Sequence, residues 1–219
     1  MTGVFLTFEG GEGTGKTTQI ERLAARLEAL GRPVTRTREP GGTALGRTIR
    51  ELLVRSSEDS PTPLAELFLY AADRAHHVET VVRPALEAGR VVLCDRYADA
   101  TEAYQGHGRG LPLDVIRASN ALATAGLRPD RTLLLDLEPR LGVARALGRA
   151  VPTGAAREER FEVEAASFHE RVRRGYLAIA EQEPERVRVL DASGRQEEVA
   201  ERVWGAVRDL FPERTAGGA

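Results

Sequence analysis

The chain has 219 residues, 42% hydrophobic and 29% charged, the composition of an ordinary globular α/β domain with a sizeable core. Its net charge of −2 disfavours a general nucleic-acid binder, and the single cysteine, Cys94, excludes an intrachain disulfide and fits a reducing compartment. No run approaches the roughly 18 apolar residues of a membrane span, and Met1-Thr2-Gly3 leads into a strand pattern with no signal peptide, so a cytoplasmic location without membrane attachment is expected.

The apolar run V-F-L-T-F at 4–8 predicts a buried strand entering a glycine-rich turn, and a helix follows over 16–30, closed by Gly31. A second strand over 33–38 leads through R-E-P-G-G to a helix over 44–54, and the polar stretch 56–63 reads as a loop. A long helix over 64–87 is expected to bend near Pro84. The third strand, R-V-V-L-C-D at 90–95, precedes helical patterns at 98–105 and 112–125. Strands at 131–137 and 186–190 are each followed by a helix, over 139–149 and 195–210, with a long helix over 161–182 between them. Strands alternating with helices predict a parallel sheet covered on both faces. The segment from Arg149 to Arg160 mixes proline, glycine and alanine between arginines and is expected to be a mobile flap, while 213–219 should fray. One domain over 1–212 accounts for the pattern, without internal repeats.

Gly10-Gly11-Glu12-Gly13-Thr14-Gly15-Lys16-Thr17 satisfies the P-loop pattern, with a strand before it and a helix after. Glycines let consecutive N–H groups turn around an oxyanion, and the helix start adds partial positive charge. Lys16 would reach the β- and γ-phosphates of a nucleoside triphosphate, with the Thr17 hydroxyl on Mg²⁺. Lys16 is the only lysine among 31 basic residues, at a place where a compact ammonium serves better than a planar guanidinium. The bland alternative is a plain glycine-rich turn. A GTPase needs an Asn-Lys-x-Asp guanine reader, which this chain lacks. Kinases of small molecules and regulatory or partitioning ATPases stay open. Glu12 is unusual beside phosphates unless it points elsewhere, for instance at a hydroxyl of a second substrate.

Ligands of open parallel sheets bind beyond the carboxyl ends of the strands. Asp95 ends the third strand as a Walker-B carboxylate does and could hold Mg²⁺, and Arg96 beside it could bridge donor and acceptor phosphates. Thr101, Tyr104 and Gln105 share one helical face, as do Tyr70 and Arg74. A ring with polar groups can read a single base, although Tyr70 suits a core position equally well. Arg50 by itself reads as a solvated helix residue. The four histidines read as structural or solvated.

F-E-G-G-E-G-T-G-K-T-T-Q, T-R-E-P-G-G-T, Y-A-A-D-R, L-C-D-R-Y and A-Y-Q-G-x-G-R-G, in order over nearly the whole chain, resemble the bacterial thymidylate kinases. The resemblance implies a P-loop NTPase-like three-layer α/β fold, with a five-stranded parallel sheet and a mobile lid at about 149–160. It implies transfer of the γ-phosphoryl of ATP to dTMP with Mg²⁺, in a homodimer formed through packed helices. Glu12 would bind the deoxyribose 3′-hydroxyl, Tyr70 stack on thymine, Arg74 donate to its O4, and Thr101 and Gln105 meet its edge. Tyr104 would crowd a ribose 2′-hydroxyl, and Arg96 and Arg50 would hold the dTMP phosphate. Glu39 would sit nearby in a turn whose proline, Pro40, is often cis, and Arg149 would lie over adenine. Arg160 would act as a lid arginine on the transferred group, with Arg157 a weaker second candidate. Tyr70 stands where the family usually has Phe, and Ala100 where it often has Ser. A kinase for another nucleotide or nucleoside remains the alternative, with a P-loop ATPase switch behind it.

Overall fold

The computed structural model describes residues 3–54, 60–148 and 164–212. Along Val4–Glu9 (β1), Leu6 and Phe8 enter one hydrophobic core and Phe5 another, the period-two alternation of a strand covered on both sides. Val91–Asp95 (β3) repeats this, with Val91 and Leu93 on the first side and Val92 and Cys94 on the second. With Val34–Arg38 (β2), Arg131–Asp136 (β4) and Val187–Asp191 (β5), these strands form one parallel sheet in the order β2-β3-β1-β4-β5. Phe8 lies opposite Asp95 of β3 and Leu133 of β4, so the carboxyl ends of the three central strands finish together.

Two helices, Lys16–Ala29 (α1) and Gln196–Val207 (the last α-helix), bury Ile20, Leu23, Leu27, Val199, Val203 and Val207 on one face. The other face carries Ala44–Val54 (α2), Pro63–His77 (α3), Arg83–Glu87 (α4), Ala98–Thr101 (α5) and Leu113–Thr124 (α6). Pro139–Leu147 (α7) and Ala166–Gln182 (α8) follow, and Gln196–Val207 is α9. Phe168, Val172, Tyr176 and Ile179 of α8 pack there with Leu134 and Val187.

Three expectations are corrected. The irregularity assigned to Pro84 falls on the turn before it: Val78–Val82 is π-helical, and the Arg83 N–H reaches back to the Val78 carbonyl. Pro84 has no N–H to continue the ladder, and a widened turn accommodates that loss. The helix read over 98–105 is α-helical only to Thr101 and π-helical over Glu102–Gly108. The helix read from about 161 begins at Ala166, because Ala165 is extended at φ −58°, ψ 147°. Residues 161–163, the expected flap and the expected frayed tail lie outside the described residues.

Candidate active site

The donor side of the site is the turn between β1 and α1. Gly10, Gly13 and Gly15 all have positive φ, which side chains resist. At Gly13 space also decides: a Cβ would stand 1.9 Å from the Gly142 carbonyl of α7. No side chain caps α1, and its first turn holds no acid, so its leading N–H groups face an incoming anion unscreened. The Lys16 ammonium donates to the carbonyls of Gly10 (3.1 Å) and Gly11 (2.9 Å), which arch it over the turn.

Thr17 Oγ1 lies 3.5 Å from Asp95 Oδ2, and Asp95 Oδ1 is buried without a hydrogen-bond partner. A hydroxyl beside an unsatisfied carboxylate oxygen suits Mg²⁺, a hard ion that keeps several waters and takes phosphate oxygens. Among the described residues no group of three or more His, Cys, Asp or Glu is placed to hold a metal ion.

The acceptor side is a cleft lined by charged and polar side chains. It gathers Glu12, Glu39, Arg50, Tyr70, Arg74 and Arg96, joined by Thr101, Tyr104 and Gln105. Tyr70 is half-buried, so it serves as a pocket wall and not as core, and Arg50 is likewise half-buried, with Nη1 donating to the Pro40 carbonyl at 3.2 Å. Ala100 lines the same cleft. Thr101, Tyr104 and Gln105 converge there although most of their segment is π-helical.

Arg74 is held from several elements. Its guanidinium donates to Glu39 Oε2 (2.8 Å), Asn120 Oδ1 (2.7 Å), the Tyr97 carbonyl (3.0 Å) and Thr101 Oγ1 (3.0 Å). Glu39 also pairs through Oε1 with His77 Nδ1 at 2.8 Å, and the Glu39–Pro40 peptide is cis. Burial, together with the negative charge of Glu39, pushes the neighbouring Asp73 carboxyl up to about 6.

Arg96 joins the two sides. One amino group, Nη2, donates to Glu12 Oε1 at 2.7 Å; the other, Nη1, donates to the Gly10 carbonyl at 3.2 Å. The guanidinium rests 4.8 Å over the Tyr104 ring, whose hydroxyl donates to the same Glu12 oxygen at 2.8 Å. Arg96 has φ +69°, a strained state for a residue with a side chain, costing about 1–3 kcal/mol. Three contacts hold it: its N–H donates to the Phe8 carbonyl (2.9 Å), the Cys94 thiol donates to the Arg96 carbonyl (3.0 Å), and the next N–H, of Tyr97, donates to Glu9 Oε1 (2.7 Å).

Glu9 escaped sequence reasoning. It is fully buried, and burial, then the nearby Asp99 charge, pushes its carboxyl up to about 8. Its Oε2 hydrogen-bonds the Tyr176 hydroxyl at 2.8 Å, and that hydroxyl also receives Arg96 Nη1 at 3.3 Å. An acid ending a buried strand just before the glycine turn was a visible signal; its partner on α8, 167 residues away, was not. Glu66, Asp73 and Asn120 were missed for the same reason. Arg149, Arg157 and Arg160 lie outside the described residues.

The sheet order, the glycine turn entering α1 and the cleft across Arg96 define a P-loop kinase fold. A family model described as thymidylate kinase matches residues 8–203. The chain is 54% identical over 209 residues to the thymidylate kinase of Solidesulfovibrio magneticus, an alignment spanning 95% of this chain and 100% of that one. It is 53% identical over 214 residues to that of a Synechococcus species, spanning 98% of each. The crystal structure of thymidylate kinase from Ehrlichia chaffeensis matches with a TM-score of 0.74 at 31% identity, over 96% of this chain and 99% of that one. The chain belongs to the thymidylate kinase family.

Proposed function

We propose that this enzyme transfers the γ-phosphoryl group of ATP to dTMP, giving dTDP for dTTP synthesis. The observation that carries the reading is Arg96, one guanidinium hydrogen-bonded at once to the phosphate turn at Gly10 and to the acceptor cleft at Glu12. A cation in that position can neutralise charge on donor and acceptor phosphates together as they are drawn into line.

In this reading the turn from Gly10 to Thr17 cradles the triphosphate, and the Lys16 ammonium leaves the turn carbonyls for the β- and γ-phosphates. Thr17 and Asp95 would hold Mg²⁺, which when bound would offset the charge of the phosphates. Arg96 and Arg50 bind the dTMP phosphate, which attacks as an anion and needs no general base. Tyr70 stacks on the base, while Arg74, Thr101 and Gln105 meet its edge. Glu12 takes the sugar 3′-hydroxyl, with Tyr104 packed against C2′. Glu39 positions Arg74, and Arg149 covers adenine. Arg160, which the resemblance implies as the arginine that meets the transferred group, would offset charge on the γ-phosphoryl.

A regulatory ATPase would have no use for so polar a second cleft. The deciding experiment is ADP formation with dTMP, dUMP, dCMP, dGMP and dAMP as acceptors. dTMP should give the highest kcat/KM. A better acceptor elsewhere in the panel refutes the substrate, and hydrolysis indifferent to every acceptor refutes the kinase.

A homodimer is part of the proposal. Leu45 and Leu52 of α2, Leu64 and Phe68 of α3, and Val115 and Leu122 of α6 are exposed, and α2 and α6 both pack against α3. A second copy would cover this apolar face; a solution mass of one chain refutes it. No described helix is long and apolar enough to cross a membrane, and a cytoplasmic setting is proposed on the free, buried Cys94.

A further inference from the structure

Reading a base edge depends on which protein atoms donate and which accept. An amide side chain is ambiguous in this respect, because turning it over exchanges a carbonyl oxygen for an NH₂ at almost no change of shape. Gln105 lines the acceptor cleft and is 1% exposed. Its Nε2 donates to Glu66 Oε1 at 2.6 Å. Glu66, on α3, is 0% exposed, and Arg109 Nε stands 3.5 Å from that same oxygen, a cation paired with the carboxylate. Arg109 is in turn bound by Glu164. A carboxylate facing a guanidinium and an amide NH₂ serves as an acceptor to both. A reversed Gln105 would set two acceptor oxygens against each other in a buried site, which costs far more than a lost hydrogen bond.

We propose that Glu66 is a positioning residue that fixes the polarity of Gln105, leaving the carbonyl Oε1 as the atom offered to the base, so that the cleft selects pyrimidines carrying an N3–H. The proposal rests on the dTMP reading above and deepens it. The second half of the pattern comes from Arg74, a group that can only donate, beside Gln105 in the same cleft. A donor next to an acceptor complements the C4 carbonyl and N3–H of thymine or uracil. It opposes the C4 amino group and bare N3 of cytosine, where both contacts become like against like. Glu39 holds the donor and Glu66 the acceptor, so two buried carboxylates outside the base contacts set the code.

The test measures kcat/KM for dTMP and dCMP in the full-length enzyme, as wild type, as Glu66→Gln, and as Glu66→Gln combined with Gln105→Glu. In Glu66→Gln the amide at 105 can turn either way, and the dTMP-to-dCMP ratio is expected to fall about tenfold or more, chiefly through a higher dTMP KM. In the exchange variant the carboxylate at 105 accepts from N3–H while the new amide at 66 donates to it, so selectivity should return to within about threefold of wild type. A ratio for Glu66→Gln within about twofold of wild type overturns the proposal, as does an equal loss on both nucleotides, which a purely structural role would give. Should Glu66→Gln fail to fold, the exchange variant decides alone: retained selectivity supports the proposal and collapsed selectivity overturns it. A wild type that does not phosphorylate dTMP rejects the functional reading itself, and the proposal with it.

Discussion

Replacing Glu39 by alanine probes the ion pair beneath the acceptor cleft. Glu39 and Arg74 are each 2% exposed at the side chain and meet at 2.8 Å, and the other Glu39 oxygen holds His77. Removing one partner of a buried pair leaves the other charge uncompensated, a loss of about 3–5 kcal/mol. Asp73 offsets part of this. Its carboxyl sits at about 6 through burial and the negative charge of Glu39, so without Glu39 it ionises more readily and takes over part of the Arg74 charge. The expected loss is therefore near the lower end, about 3 kcal/mol. For a chain of this size that lowers Tm by about 6–12 °C. Thermal unfolding of the ligand-free variant measures it, and steady-state kinetics should show the dTMP KM raised about tenfold with the ATP KM unmoved, since Arg74 faces the acceptor side only. A loss below about 1 kcal/mol with unchanged dTMP KM would refute the reasoning, because it would mean Arg74 does not depend on Glu39.

Two other substitutions test separate parts of the account. The Glu9 carboxyl keeps its proton up to about 8 in the fold, against 4.5 ordinarily, so between those values the native state binds more protons than the unfolded chain and stability falls as pH rises. Glu9→Gln should remove that fall, up to about 1.4 kcal/mol per pH unit, and urea midpoints that drop equally for both proteins from pH 5.5 to 7.5 would count against a proton on Glu9. Arg160→Ala should lower kcat about a hundredfold or more if this arginine meets the transferred group; a loss within about threefold sinks that role.

The order of strands and helices and the phosphate turn were legible because each is local, while Glu39 and Arg50 of the acceptor cleft came only from the family resemblance. Period-two and helical spacing report burial over a few residues, and Gly15-Lys16-Thr17 is a contiguous signal. Tyr70 and Arg74 share a face by helical spacing alone, and both line the cleft. The two π-helical turns, over Val78–Val82 and Glu102–Gly108, had no such signature, because a widened turn answers to packing and leaves the polar pattern intact. Arg50 shows the other limit: on its helix it reads as solvated, and only the turn at Pro40 folding beside it makes it part of a wall.

By itself, then, the amino-acid order determined the class of fold, the donor loop and which side chains stand ready for an acceptor. Tertiary structure alone decided how those side chains are aimed. The orientation of Arg96 depends on Glu9 and Tyr176, that of Arg74 on Glu39 and Asn120, and that of Gln105 on Glu66, pairings separated by 35 to 167 residues. A buried charge must find its partner wherever the chain brings one, and that meeting is fixed by the packing of helices on the sheet, which no local spacing encodes.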